Sequence, residues 1–170
     1  MIKQVYHQLL GDSPKVPWRY LLFQNLARPK AQFIMWLQIQ NRLLTTDRLL
    51  KWNIQVDPVC QMCHNGVETR DHLFFYCCFA QQLWHRLRPV LQNWNLQCQT
   101  ILSVCKGKTI QAQLNGMLSA EFIFALRIER NNSIFEKTEK QQESIAKEIA
   151  CVCNIRASAL VKSRLHMCKF

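Results

Sequence analysis

The segment CQMCHNGVETRDHLFFYC, residues 60–77, concentrates most of the chemistry that this sequence can do. Cys60, Cys63, His72 and Cys77 form a Cys-x2-Cys-x8-His-x4-Cys array. Two cysteines in an x2 turn can aim both sulfurs at one ion. A His and a Cys five positions apart complete a tetrahedron when the segment folds back. Four protein ligands with no open position describe a structural Zn2+ rather than a catalytic one. Redox pairs also use Cys-x2-Cys, but on a strand that runs into a helix opening at the motif. Here DPVCQMCHNG reads as loop on both sides. Cysteines buried without an ion are the third reading. Cys78 in place of Cys77, and His64 in place of His72, stay open as alternatives. The first choice keeps the residue after HLFFY as ligand, and His64 stands too close to Cys63 to wrap easily around the same ion.

The elements that must hold this array read as helices. Gly and Pro number only four and five in 170 residues, too few punctuation residues for a many-turned β-sandwich or barrel. VYHQLLG reads as a short helix closed by Gly11, and DSPKVPW as a loop. WRYLLFQNLARPKAQFIMWLQIQNRLL gives a helix, a break near Pro29 and a longer helix, with Phe33, Trp36, Leu37 and Leu43 expected on its inner face. Thr45, Thr46 and Asp47 offer caps for a further short helix. After the Cys/His segment, FAQQLWHRLRPVLQNW is helical with Leu83, Trp84 and Leu87 apolar and a kink expected at Pro89, and CKGK is a loop. A long helix is predicted from Thr109 to about Phe135. A last one is predicted from about Glu139 to Leu165, packing through Ile145, Ile149, Val152 and Ala159. The expected fold class is therefore mainly α: a small helical domain around a Cys3His zinc knot, residues 1–95, followed by a long helical C-terminal region, residues 96–170.

Charge is the strongest bulk signal. There are 22 Lys and Arg against 11 Asp and Glu, a net +11. Residues 1–51 hold eight basic and two acidic side chains, residues 52–90 three of each, and residues 91–170 eleven and six. The excess lies on both flanks and the Cys/His segment is neutral, which points to a polyanionic partner, nucleic acid first. The competing reading is a solvated basic surface. Nine cysteines with no secretory signal favour metal binding over a disulfide framework. The setting implied is intracellular, mitochondrion or nucleus. Cys98, Cys105, Cys151, Cys153 and Cys168 have no partner motif and are read as small core hydrophobes. No apolar run reaches the roughly 18–20 residues that span a bilayer. There is no Gly-rich phosphate loop, no Tyr-x-Asp-Asp pair and no Ser/His/Asp or Cys/His arrangement. Asp57, Glu68 and Asp71 read as loop and capping residues, so no catalytic role is assigned.

Several stretches together resemble the zinc-binding domain that follows the polymerase in plant non-LTR retrotransposon reverse transcriptases. RPKAQFIMWLQIQNRLLTTDRLLKWNI is similar to that family's Pro-Lys-x-x-x-Phe-x-Trp stretch and its Arg-Leu-x-Thr-x-Asp-x-Leu turn. The likeness continues through DPVCQMCHNGVETRDHLFFYCCFAQQLW and resumes at RIERNNSIF, covering residues 1 to about 135. Cys78 stands where the family usually has Pro, and Leu126 and Ile128 stand where aromatics and Arg are common. The resemblance implies Zn2+ held by Cys60, Cys63, His72 and Cys77, and a retroelement origin. MIKQVY begins about where the family domain does, which implies a freestanding, domesticated binding module without the enzyme.

The function expected is a non-catalytic, zinc-stabilised basic RNA-binding or scaffold protein, a subunit of a larger ribonucleoprotein such as a ribosome. Its partners would be RNA and the protein subunits of that assembly, with no membrane and no small-molecule substrate. The alternative is an accessory nucleic-acid-binding domain of a reverse transcriptase. Phosphate contacts are assigned to Arg28, Lys30, Arg42, Arg48, Lys51, Lys106, Lys108, Arg156, Lys162, Arg164 and Lys169. Exposed Trp or Phe could stack on bases, but each aromatic is assigned to the core first.

Overall fold

The structure is a computed structural model that describes Val16, residues 18–87 and residues 98–166. The VYHQLLG helix, Pro89, Cys168 and Lys169 lie outside the described residues. So do the side chains of Cys98 and Arg164.

The helices are α1 (Arg19–Phe23), α2 (Pro29–Ile39), α3 (Thr46–Lys51), α4 (Cys78–Leu87), α5 (Cys98–Val104), α6 (Ile110–Asn131), α7 (Gln142–Arg156) and α8 (Ala159–His166). Two π-helical turns, His72–Tyr76 and Asn132–Glu136, stand before α4 and after α6. The mainly helical class expected from composition is what is found. Among the described residues the extended pairing is a single antiparallel bridge between Val59 and Val67, flanking the first two cysteines.

α6 is the axis of the molecule. Thr109 caps it by accepting a hydrogen bond from the Ala112 N–H at 3.1 Å. Leu114 to Ile123 are buried without interruption, so the middle of α6 is covered on all sides. α2, α5, α7 and α8 pack against it. α4 packs on α7 and also reaches α6, where the Trp84 and Phe122 rings meet edge to face at 4.9 Å. One buried cluster runs from Leu21 to Leu165 and includes Cys60, Leu73, Phe74 and Cys77. The core is therefore continuous across the division near residue 95.

Two expectations about faces need correction. α2 starts at Pro29, where the missing N–H costs nothing. Its inner face is Ala31, Ile34, Met35 and Gln38, while Phe33 is 55% exposed. One residue rotates a helix face by about 100°, and Ala31 with Ile34 allows closer approach to α6 than Phe33 with Trp36 would. The last helix is two helices. Ala157 is buried in extended backbone, and Ser158 opens α8 by accepting the Lys162 N–H through its carbonyl. Ile145 and Ile149 are buried as expected, Val152 is half-buried, Cys153 takes the next inward position, and Ala159 is exposed.

Candidate metal centre

The first half of the centre is a tight loop. The Cys60 N–H donates to the Gly66 carbonyl at 3.0 Å, and the His64 N–H to the Cys60 carbonyl at 2.8 Å. Gly66 has φ +81 and His64 φ +52, so the turn closes through two left-handed residues. Asp57 does the loop work expected of it, accepting the Val59 N–H at 2.9 Å.

The second half rests on a π turn. The Cys77 N–H reaches the His72 carbonyl at 2.6 Å, an i→i+5 bond. In an α-helix, residues five apart point about 140° away from each other. The wider π turn brings His72 and Cys77 back to one side, a use of π geometry common at functional sites. Thr69 starts this turn, its hydroxyl accepting the His72 N–H at 3.1 Å and its carbonyl the Leu73 N–H at 2.9 Å.

The ligand atoms of Cys60, Cys63, His72 and Cys77 lie within 4.8 Å of one another. Cys60 Sγ and Cys77 Sγ are 4.0 Å apart, and Cys63 Sγ and His72 Nε2 are 3.3 Å apart. Zn–S near 2.3 Å and Zn–N near 2.0–2.1 Å set ligand atoms in a tetrahedron about 3.6–3.8 Å apart, so the group suits a zinc ion once its widest pairs close by up to about 1 Å. The Cys60 and Cys77 thiols share a hydrogen bond. That bond holds Cys60 down to about 5, and the same bond, with burial, pushes Cys77 well up. Burial raises Cys63. Such a crowd of thiols favours charge on one sulfur at the expense of the next, the situation that a bound dication relieves. When bound, the ion supplies cross-linking and no reactive position, because four protein ligands fill its sphere.

The cluster contains Cys77 and His72 and not the two alternatives. Cys78 is exposed at the start of α4, and the His64 side chain is 66% exposed and faces Glu139 at 3.8 Å. All of the cysteines whose side chains are described are free thiols. Cys105 and Cys153 are buried as expected. Cys151 is exposed, a correction to its reading as core.

A residue near the centre has a larger role than its sequence reading gave it. Glu68 is fully buried and its carboxylate receives Arg130 Nε at 3.0 Å and Nη2 at 2.6 Å. It also accepts the Thr46 N–H at 3.1 Å, so it caps α3 from 22 residues away. Glu68 thus ties the metal loop to the start of α3 and the end of α6. The capping role was legible; the ion pair was not.

A family model described as zinc-binding in reverse transcriptase matches residues 1–84. Residues 1–84 belong to that family. No curated protein and no solved structure matches the chain. All four ligands of the reverse-transcriptase zinc-binding domain fall inside the matched span, and the domain is an accessory one rather than the catalytic one. Arg130 lies beyond the span but holds Glu68 inside it, so the stretch RIERNNSIF belongs to the same packing unit.

The assigned basic residues separate by environment. Lys30, Arg42, Lys51, Lys106 and Lys108 are exposed, and Lys162 is half-buried. Arg48 bonds to the Asn41 carbonyl, and Arg156 Nε donates to the Leu26 carbonyl at 2.8 Å. Arg28 is engaged inside the protein. Its Nε and Nη2 hold Glu121 Oε2 at 2.9 and 2.6 Å, its N–H holds Oε1 at 2.8 Å, and its guanidinium covers the Phe124 ring. Glu121 is 0% exposed, so the pair locks α2 to α6 and gives Arg28 a structural task that the sequence did not show.

Proposed function

We propose that this protein is a non-catalytic RNA-binding component of a ribonucleoprotein, with the zinc centre clamping the fold rather than touching RNA. The observation that carries this is how charge divides between inside and outside. The buried carboxylates of Glu68 and Glu121 are neutralised by Arg130 and Arg28, one anion with one cation each. Those pairs leave the net +11 to the remaining side chains, with Lys30, Arg42, Lys51, Lys106 and Lys108 turned to solvent. Three thiolates around Zn2+ carry about −1, which repels phosphate. RNA contacts therefore belong to the flanking helices and loops.

The test is salt-dependent binding of RNA to the zinc-loaded chain. Replacing Lys30, Arg42 and Lys51 by Gln should weaken all RNA sequences alike and lower the salt slope by about one unit per lost contact. Arg28 is excluded from that variant because removing it strands Glu121. Unchanged affinity and slope in this variant and in a Lys106/Lys108/Lys162 variant would replace RNA binding with a scaffold role through protein contacts.

The second reading is an accessory domain that holds template RNA or nicked target DNA beside a reverse transcriptase. The family match favours it. Co-sedimentation with ribosomal particles supports the first reading; co-purification with a polymerase supports the second.

A further inference from the structure

Phe33 on α2 and Trp52 just after α3 do not behave as core, and Trp36 is only half-buried. Phe33 lies outside, stacked on Trp36 with ring centroids 5.9 Å apart and planes at 28°. The Arg42 guanidinium stands 5.9 Å over the Trp36 ring. Next to Arg42, the Asn41 carbonyl accepts a bond from Arg48, and the Arg48 guanidinium lies 5.6 Å over the ring of Trp52, which is 54% exposed. Phe33, Trp36 and Arg42 form one aromatic–guanidinium group and Arg48 with Trp52 a second, and the Arg48 bond to the Asn41 carbonyl links the two through the backbone into a ridge. Lys51 flanks it, with Asp47 at 3.7 Å from its Nζ as the carboxylate on that side.

Leaving two large rings in water costs hydrophobic free energy that the core could have recovered. Arg48 lies over Trp52 by cation–π contact, and Phe33 stacks on Trp36, the ring over which Arg42 lies. A partner that suits the ridge must present both flat π faces and negative charge. Single-stranded nucleic acid does both. A duplex stacks its bases on each other, so it offers phosphates, 2′-hydroxyls and base edges but no open base faces along its length.

We infer that the α2–α3 ridge is a stacking platform for single-stranded RNA, with bases on Phe33 and Trp52 and phosphates on Arg42, Arg48 and Lys51. This deepens the RNA-binding reading and rests on it. Exposed Phe135, beyond α6, has no guanidinium over its ring among the described contacts and serves as the control.

The test uses the zinc-loaded full chain, a 12-nucleotide oligouridylate and an RNA duplex of the same length, read by fluorescence anisotropy across a salt series. The wild type is expected to prefer the single strand. Trp52→Ala and Phe33→Ala should each weaken oligouridylate binding about tenfold with the salt slope unchanged, because stacking rather than charge is lost. Duplex binding should stay as it was. Trp52→Tyr, which keeps a stacking face, should recover most of the loss, and Phe135→Ala should have no effect. Arg48→Gln should lower the slope by about one unit instead. Equal wild-type affinity for strand and duplex, or wild-type affinity in both alanine variants, would overturn the platform and leave phosphate binding standing. Failure of the wild type to bind either RNA would overturn the RNA-binding reading itself.

Discussion

Cys77 and Cys78 are neighbours, yet they have opposite fates. Cys77 ends the π turn, fully buried, with its sulfur 4.0 Å from Cys60, while Cys78 opens α4 towards solvent. The array spacing left either of the two as a ligand, and the i→i+5 bond from Cys77 to His72 puts Cys77 in the cluster. Purified protein should hold one zinc per chain by elemental analysis. Cys77→Ser and His72→Ala should lose it together with much of the stability, because binding a structural zinc is coupled to folding. Cys78→Ser should keep zinc and melt as the wild type does; zinc loss in that variant would move the ligand to Cys78. The thiols away from the metal divide in the same way. Burial pushes Cys105 up to about 12 and raises Cys153 as well, whereas Cys78 and Cys151 are exposed. The thiolate is the nucleophile, so iodoacetamide near pH 8 should label Cys78 and Cys151 in the folded, zinc-loaded protein. Cys105 and Cys153 should react only after unfolding. Peptide mapping of the labelled sites checks this, and early labelling of Cys153 would contradict its place in the core.

At the scale of elements, what the sequence shows and what it hides follow sequence distance. Helix starts were readable where the signal is local: Pro29 for α2, Thr45 before α3 and Thr109 for α6. The α7–α8 break was not, because Ala157 is an ordinary helix former and only its burial in extended backbone separates the helices. Nor were the ion pairs, whose partners stand 62 and 93 residues apart. These pairs bind helices that no local pattern connects. Glu68→Gln or Arg130→Met alone should destabilise by about 3–5 kcal/mol, since each leaves a buried group without its partner. The double variant Glu68→Gln/Arg130→Met should recover part of that loss. Denaturant titrations of the three variants measure the coupling, and simple additivity would show that the pair is not a unit. α3 should loosen selectively in Glu68→Leu, because Thr46 then loses the acceptor that caps it, whereas Gln keeps an amide oxygen there. Hydrogen exchange at Asp47 to Lys51 reads that directly.

The whole molecule is organised around α6, which lies entirely outside residues 1–84. Residues 1–84 hold the clustered Cys and His side chains, and their described core residues pack in one cluster with those of α6. The Ala31, Ile34 and Met35 face of α2 rests on α6, Trp84 meets Phe122, Arg28 is held by Glu121, and Glu68 by Arg130. Among the described residues no helix is long and apolar enough to cross a membrane, and the apolar face of α2 is satisfied by α6 rather than by lipid. A fragment ending at residue 95 would expose that face together with two buried carboxyl–guanidinium half-pairs. It would keep the metal loop without the scaffold that orients it. Such a fragment, expressed with zinc, should show weak helical circular dichroism, bind a hydrophobic dye and lack a cooperative melt, whereas the full chain should unfold in a single transition. Adding residues 96–136 in trans should restore less than the intact chain does, because α7 also covers α4 and α6. A fragment of residues 1–95 that melted cooperatively with one zinc bound would show that the domain is autonomous, and that α6 is an attachment to it rather than its missing half.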